Sequence, residues 1–357
     1  MKLIRTDEQK DLAASVRALL AGTAPMARVR EIAESDESHD AAVWTRLTGG
    51  MGLAGLAVPE DRGGSGAGHA EVAVVMEELG AALTPVPYLA SAVLAANVLL
   101  DAEETAEDLL PGVADGTTVA TFAVPIAGDP RPEARGGALT GTAPRVLAGA
   151  DAGLILVTAA TDEGAGLFAV DGAAPGLTRT PLTTLDLTRP QATLTFDATP
   201  ARWIGPATAA GRALDLAAVA LAAEQLGGLR RCLDAIVGYA KLRVQFGRYV
   251  GSFQGVKHRL ADMHCVLEQA ESVVRYAAWT ADESPDELPV AAALAQSYLG
   301  RAYFQVARDH LLLHGGIGFT WEHDAHLYYK RAKSAELLLG PPRHHRARLA
   351  DRLGLMP

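Results

Sequence analysis

The sequence predicts an α+β chain in three stretches: helical, then β, then helical again. Three observations carry this. Apolar residues recur at helical spacing in the first hundred or so residues, as in "AEVAVVMEELGAAL". A central stretch breaks into short runs of Val, Leu, Thr and Phe separated by Gly, Asp and Pro. Long alanine-rich amphipathic runs then fill the remainder.

The first stretch, residues 1–115, opens on "TDEQKDLAASVRALL", where Thr6 and Gln9 have the spacing of a capping box before a helical apolar pattern. A glycine-rich break, "AVPEDRGGSGAGHAEV", interrupts it, and Pro85 and Pro87 mark a bend before another helix. In the second stretch, 116–205, the runs "GALTGTAPRVLAGADAGLILVTAA", "AGLFAVDGAA" and "QATLTFDATP" read as strands of a small domain. Their connections are too short for crossover helices, which predicts a mainly antiparallel barrel or sandwich. The third stretch, 206–357, contains "TAAGRALDLAAVALAAEQLGGLRRCLDAIVGYAKLR", "FQGVKHRLADMHCVLEQAESVVRYAAWTA" and "ELPVAAALAQSYLGRAYFQVARDHLLLH". Helices this long, apolar on more than one side, predict a bundle that also packs against another subunit.

Composition bounds the function. The 357 residues are 49% hydrophobic and 21% charged, with a net charge of −10. That balance argues against a nucleic-acid footprint. No apolar window is long enough to predict a membrane span. The N-terminus has early acids and no uninterrupted apolar core, so no targeting peptide is expected and the expected compartment is the cytoplasm. Cys232 and Cys265 have no metal spacing and read as reduced core or interface thiols.

Two motifs are specific. "RVQFGRYVGSFQGVKHRLADM" (Arg243 to Met263) resembles the Arg-x-x-Phe-Gly…Phe-Gln signature of the acyl-CoA dehydrogenase family. "LHGGIGFTWEHDAHLYYKRA" (Leu313 to Ala332) resembles that family's Gly-Gly-x-Gly-Phe-Thr turn and following helix. "GLAGLAVPEDRGGSG" (Gly52 to Gly66) and "LDLTRPQATLTF" (Leu185 to Phe196) are similar to two further family segments, in the family's order. Taken alone, each residue has a plainer reading: Arg243 as an ion-pair partner, Phe246 and Phe253 as core, Gly315 and Gly316 as a turn, and Gly247 as a bend between two helices. His314, His326, His344 and His345 read as satisfied or solvated rather than metal-bound. The chemistry is nonetheless apt. An arginine fork suits a pyrophosphate, and side-chain-free glycines let a flat or charged group approach the backbone.

The resemblance implies an N-terminal helical domain, a small antiparallel β domain and a C-terminal four-helix bundle. It implies FAD, and oxidation of an acyl-CoA thioester to the 2,3-enoyl-CoA, with a glutamate taking the α-proton. FAD would lie across a subunit interface, with Arg243, Gln245, Phe246, Phe253, Gln254, Gly315 and Gly316 serving the ADP half of a flavin held by a neighbour. An electron-transfer flavoprotein is the implied acceptor.

The sequence departs from the family where the base belongs. Its two family positions fall on Leu339 and Ala217. Neither accepts a proton, and a positioned base contributes about 10²–10⁴ in rate. Asp215 lies two residues from Ala217, a helical rotation of roughly 200°. Glu336 reads as a solvated helix position and Glu224 as an interhelical partner. The β stretch has "TFAVPIAGDPRPEA", with Val124 before Pro125, where the family has a Thr-Glu-Pro…Gly-Ser-Asp loop, and Leu312 replaces a glutamine. The elements lent to a neighbour are kept and those of the chain's own site are degraded. That pattern resembles the base-less subunit of actinobacterial α2β2 enzymes that act on steroid side-chain thioesters. Two alternatives stay open: a self-sufficient homotetramer using Asp215 or another carboxylate, and an assembly subunit without flavin.

Overall fold

The computed structural model describes residues 3–102, 104–126 and 128–355. The helices are α1 (Asp7–Thr23), α2 (Met26–Ala33), α3 (Ala41–Thr45), α4 (His69–Ala82), α5 (Ala96–Leu100), α6 (Leu110–Ala114), α7 (Ala210–Leu242), α8 (Gln254–Glu283), α9 (Leu288–Leu313), α10 (Ala325–Leu337) and α11 (Pro342–Arg352). The strands are β1 (Ala120–Ala123), β2 (Glu133–Arg135), β3 (Ala138–Leu147), β4 (Leu154–Thr161), β5 (Gly164–Asp171), β6 (Leu177–Pro181), β7 (Gln191–Pro200), β8 (Arg202–Pro206), β9 (Val244–Gln245) and β10 (Arg248–Tyr249). The chain groups into two compact units, one of 27–72 and 85–217, the other of 1–26, 73–84 and 218–357. Among the described residues no helix is long and apolar enough to cross a membrane.

The first unit is built on an eight-stranded sheet in the order β6-β7-β3-β2-β4-β5-β8, with β1 beside β4. Strand β7 alternates as its period predicts: Ala192, Leu194 and Phe196 are buried between more accessible neighbours. They join Leu139, Val146, Ile155 and Phe168 in one core. Most pairings are antiparallel, as the short connections predict. Two are parallel, β1 with β4 and β2 with β4. These are made without a crossover helix, so connection length alone did not forbid them.

The second unit holds the long helices. The Thr6 capping box forms as the sequence predicts, with Thr6 and Gln9 each satisfying the other's backbone amide. Helices α4 and α7 meet backbone to backbone. A Cβ on Gly227 would lie 1.8 Å from the Glu77 carbonyl oxygen, and one on Gly80 would lie 2.1 Å from that of Glu224. Around this crossing the buried Glu77 carboxylate receives Arg5 at 2.6 Å, and Arg230 and Arg275 at 3.4 Å. The N-terminal segment, α7 and α8 therefore converge on one α4 side chain. Cys232 is buried and its thiol is pushed up by that burial. Cys265 is exposed, so it is not a core thiol.

Two predictions follow from packing and burial. Gly227→Ala should cost about 1–3 kcal/mol by overpacking. Gly238→Ala, on the same helix with nothing within 4 Å of the added Cβ, should stabilise by up to about 1 kcal/mol; thermal midpoints measured side by side should move in opposite directions. Burial also holds the His310 and His345 imidazoles down, to about 3 and about 4 against 6.5 in the open chain. Below pH 6.5 the unfolded chain takes up protons these folded sites refuse, so stability falls as the pH drops towards 4. Urea midpoints between pH 7 and pH 4 should show this loss, with a slope of at most about 1.4 kcal/mol per histidine per pH unit. His345→Leu should flatten it.

Candidate functional site

Helix α7 ends at Leu242, and the chain turns at once into a two-stranded arm. The Arg243 amide donates to the Tyr239 carbonyl at 2.9 Å, and the Val250 amide donates back to Arg243 at 2.8 Å. Between them β9 pairs with β10, Gln245 opposite Arg248 and Val244 opposite Tyr249. The connecting residues are Phe246 and Gly247, with φ of 53° and 75°. Positive φ at both positions is what a tight hairpin with right-handed strand twist requires. The bend the sequence assigned to Gly247 is therefore a β-hairpin, not a helix-to-helix corner.

The arm does not serve the core. Phe246 is 93% exposed despite its strained backbone. It meets Phe253 edge-on at 6.3 Å, and the Arg248 guanidinium lies 3.8 Å over the Phe253 ring. Phe253 caps α8, half-buried, and Gln254 begins that helix exposed. Gln245 donates to the Val244 carbonyl at 3.0 Å. Arg243 is exposed and makes no ion pair among the described residues.

The second motif forms the end of α9. Gly315 takes φ +67°, a left-handed residue just past the helix end. Gly318 is buried, where a Cβ would stand 2.5 Å from the Leu311 carbonyl oxygen, so the turn folds tightly back on α9. Gly315 and Gly316 face the other way: a Cβ on either would meet nothing within 4 Å. Leu312, Ile317, Phe319 and Trp321 are exposed around them. The two motifs are joined at Tyr239, whose hydroxyl donates to the His314 carbonyl at 3.3 Å and whose ring lies 4.5 Å from the His314 imidazole.

The positions where a base was sought hold none. Leu339 is half-buried beyond the end of α10, and Ala217 is fully buried in α7. Asp215 is buried and has an interaction partner. Glu336 is not the solvated position its sequence suggested: its side chain is 15% exposed and pairs with Lys333 at 2.7 Å, one helical turn away. Glu224 is an interhelical partner, as expected, bound to Arg331 of α10 at 2.5 Å. Within the sheet unit a cavity of about 370 Å³ lies between the end of the β4–β5 hairpin, the loop after β1 and the start of α7. Arg131, Thr158, Thr161 and Thr208 supply its polar wall, and no lining residue is a carboxylate or a histidine. In that loop, Asp129 is engaged by Arg145, itself at φ 55° on β3. Among the described residues no group of His, Cys, Asp or Glu could hold a metal.

Sequence reasoning missed Tyr239, His310 and His323. Two had a local signal, Tyr239 one turn before Arg243 and His310 one turn before His314; His323 had none.

The chain resembles known proteins over nearly its whole length. Residues 6–117 match the family model for the acyl-CoA dehydrogenase N-terminal domain, and residues 207–354 that for the acyl-CoA dehydrogenase C-terminal domain. The chain is 36% identical to acyl-CoA dehydrogenase IpdE2 of Mycobacterium tuberculosis, covering 98% of this chain and 99% of that protein. Among solved structures, it resembles the ChsE4-ChsE5 complex from Mycobacterium tuberculosis (TM-score 0.92, 30% identity, 100% of both chains). It also resembles the Tcur3481-Tcur3483 steroid acyl-CoA dehydrogenase G363A variant (TM-score 0.90, 33% identity, 98% of both chains). With its helical N-terminal region, central sheet and C-terminal helices, this chain belongs to the acyl-CoA dehydrogenase family.

Proposed function

We propose that this chain is the base-less subunit of an FAD-dependent acyl-CoA dehydrogenase that forms 2,3-enoyl-CoA, active only with a paralogous chain in an α2β2 assembly. The observation that carries the reading is the pairing of Leu339 and Ala217 at the base positions with an exposed arm and glycine turn. The stretches 1–115, 116–205 and 206–357 are read as the family's helical, β and bundle domains.

The residues present fit the ADP half of FAD. Arg243 offers an exposed guanidinium with no ion pair among the described residues, and such a planar fork matches a pyrophosphate. Gly315 and Gly316 leave their backbone open, so an anionic or flat group can come close. Gln245, Phe246, Phe253 and Gln254 complete that surface. A bound FAD supplies the hydride acceptor. This chain's residues hold and orient it, and the partner chain supplies the proton acceptor. Two similar structures carry paired names, the ChsE4-ChsE5 complex and Tcur3481-Tcur3483, the second described as a steroid enzyme. They support a paralogous partner and a steroid side-chain thioester as substrate. An electron-transfer flavoprotein as acceptor and a cytoplasmic location complete the reading.

The test is co-expression with a paralogous chain. Arg243→Ala should weaken FAD retention by the purified complex about ten-fold or more, as for loss of a charge-assisted hydrogen bond; unchanged flavin content would refute the role of Arg243. Asp215→Asn should leave turnover intact. Loss of turnover with flavin retained would instead support the self-sufficient enzyme.

A further inference from the structure

Three histidines surround the base of the glycine turn. The His314 ring lies 4.6 Å from His310 and 4.3 Å from His323, with Tyr239 at 4.5 Å. Their hydrogen bonds fix the protons. His314 Nδ1 lies 2.8 Å from the His310 carbonyl oxygen. That oxygen only accepts, so Nδ1 carries a proton. His323 Nδ1 accepts the Ala325 amide at 3.1 Å. An imidazolium has hydrogen on both nitrogens and cannot accept, so His323 is neutral with its proton on Nε2. His310 is buried, and neither of its ring nitrogens has a hydrogen-bond partner among the described residues.

We propose that His314 and His323 are positioning residues: a stack of neutral imidazoles, clamped by Tyr239 of α7 and by the first amide of α10, holds the Gly315–Phe319 turn in its outward-facing shape. Two backbone links make the clamp effective. The His314 carbonyl takes the Tyr239 hydroxyl on one side of the turn, and His323 satisfies an otherwise orphan helix-start amide on the other. The stack is surrounded by further titratable groups. Arg231 of α7 acts on His310 and Tyr328, the Tyr328 ring lies 6.2 Å from His310, and Asp324 acts on Tyr328. Burial, with a smaller contribution from His323, holds His314 below the usual histidine range, against the opposing pull of the His310 carbonyl. A proton on His323 removes the acceptor for Ala325 and places a cation 4.3 Å from His314, so the clamp opens on acidification. What the turn is presented to rests on the flavin reading above; the clamp itself does not.

Hydrogen exchange of peptides spanning 315–327 tests this in the full chain without added flavin, corrected for intrinsic pH dependence. Wild type should lose turn protection as the pH falls through the acid range. His323→Phe should exchange about ten-fold faster than wild type at neutral pH, the size of one lost hydrogen bond, and the difference should close as the wild-type clamp opens in acid. His323→Asn keeps a side-chain acceptor two residues before Ala325 but cannot titrate. It should retain protection and lose the pH dependence. Wild-type exchange in His323→Phe at neutral pH, or a wild-type pH profile in His323→Asn, would overturn the proposal. Because no flavin is present, failure here leaves the flavin assignment standing. A protected turn in a complex that retains no flavin would count against that assignment alone.

Discussion

The helical unit depends on one close approach, the crossing of α4 over α7 at Gly80 and Gly227. With added Cβ atoms at 1.8 and 2.1 Å from opposing carbonyl oxygens, no side chain fits between the two backbones. Contact at that range fixes α7 in rotation and translation, and buried helices packed this densely do not adjust cheaply. The Glu77 carboxylate beside the crossing then gathers three arginines from separate parts of the chain. A buried carboxylate without such partners would be strongly destabilising. From α7 the constraint spreads outward. Glu224 fixes α10 through Arg331, Tyr239 fixes the turn after α9, and the last residues launch the hairpin arm.

The arm is the opposite case, strained and exposed. A left-handed phenylalanine costs of order 1–3 kcal/mol, and a side chain 93% exposed recovers none of that by burial. Around the glycine turn, Ile317, Phe319 and Trp321 add further apolar surface. Exposed apolar patches of this kind mark surfaces made for another molecule. The two features are tied at their roots by Tyr239, so they reach solvent as one rigid presentation rather than two independent loops.

Much of this was legible in the residues. Thr6 and Gln9 announced a capping box, the run "QATLTFDATP" announced a strand at β7, and Glu224 read as an interhelical partner. These are local signals, set by side chains within a few residues of one another. The hairpin was not legible, because strands of two residues are too short to show a period. The parallel pairing of β1 with β4 was hidden because it is set by the sheet as a whole. Glu336 read as solvated because neither its Lys333 partner nor its low exposure is visible in a linear pattern. The histidine stack required the positions of α7, α9 and α10 together, which only the fold supplies.

The measurement that bears most directly on the central claim is the visible flavin spectrum of the purified chain, taken alone and after co-expression with a paralogous acyl-CoA dehydrogenase chain. The account predicts no stoichiometric flavin in the chain alone, and flavin with acyl-CoA-dependent dye reduction in the co-purified complex. Stoichiometric flavin and turnover in the chain alone would contradict it.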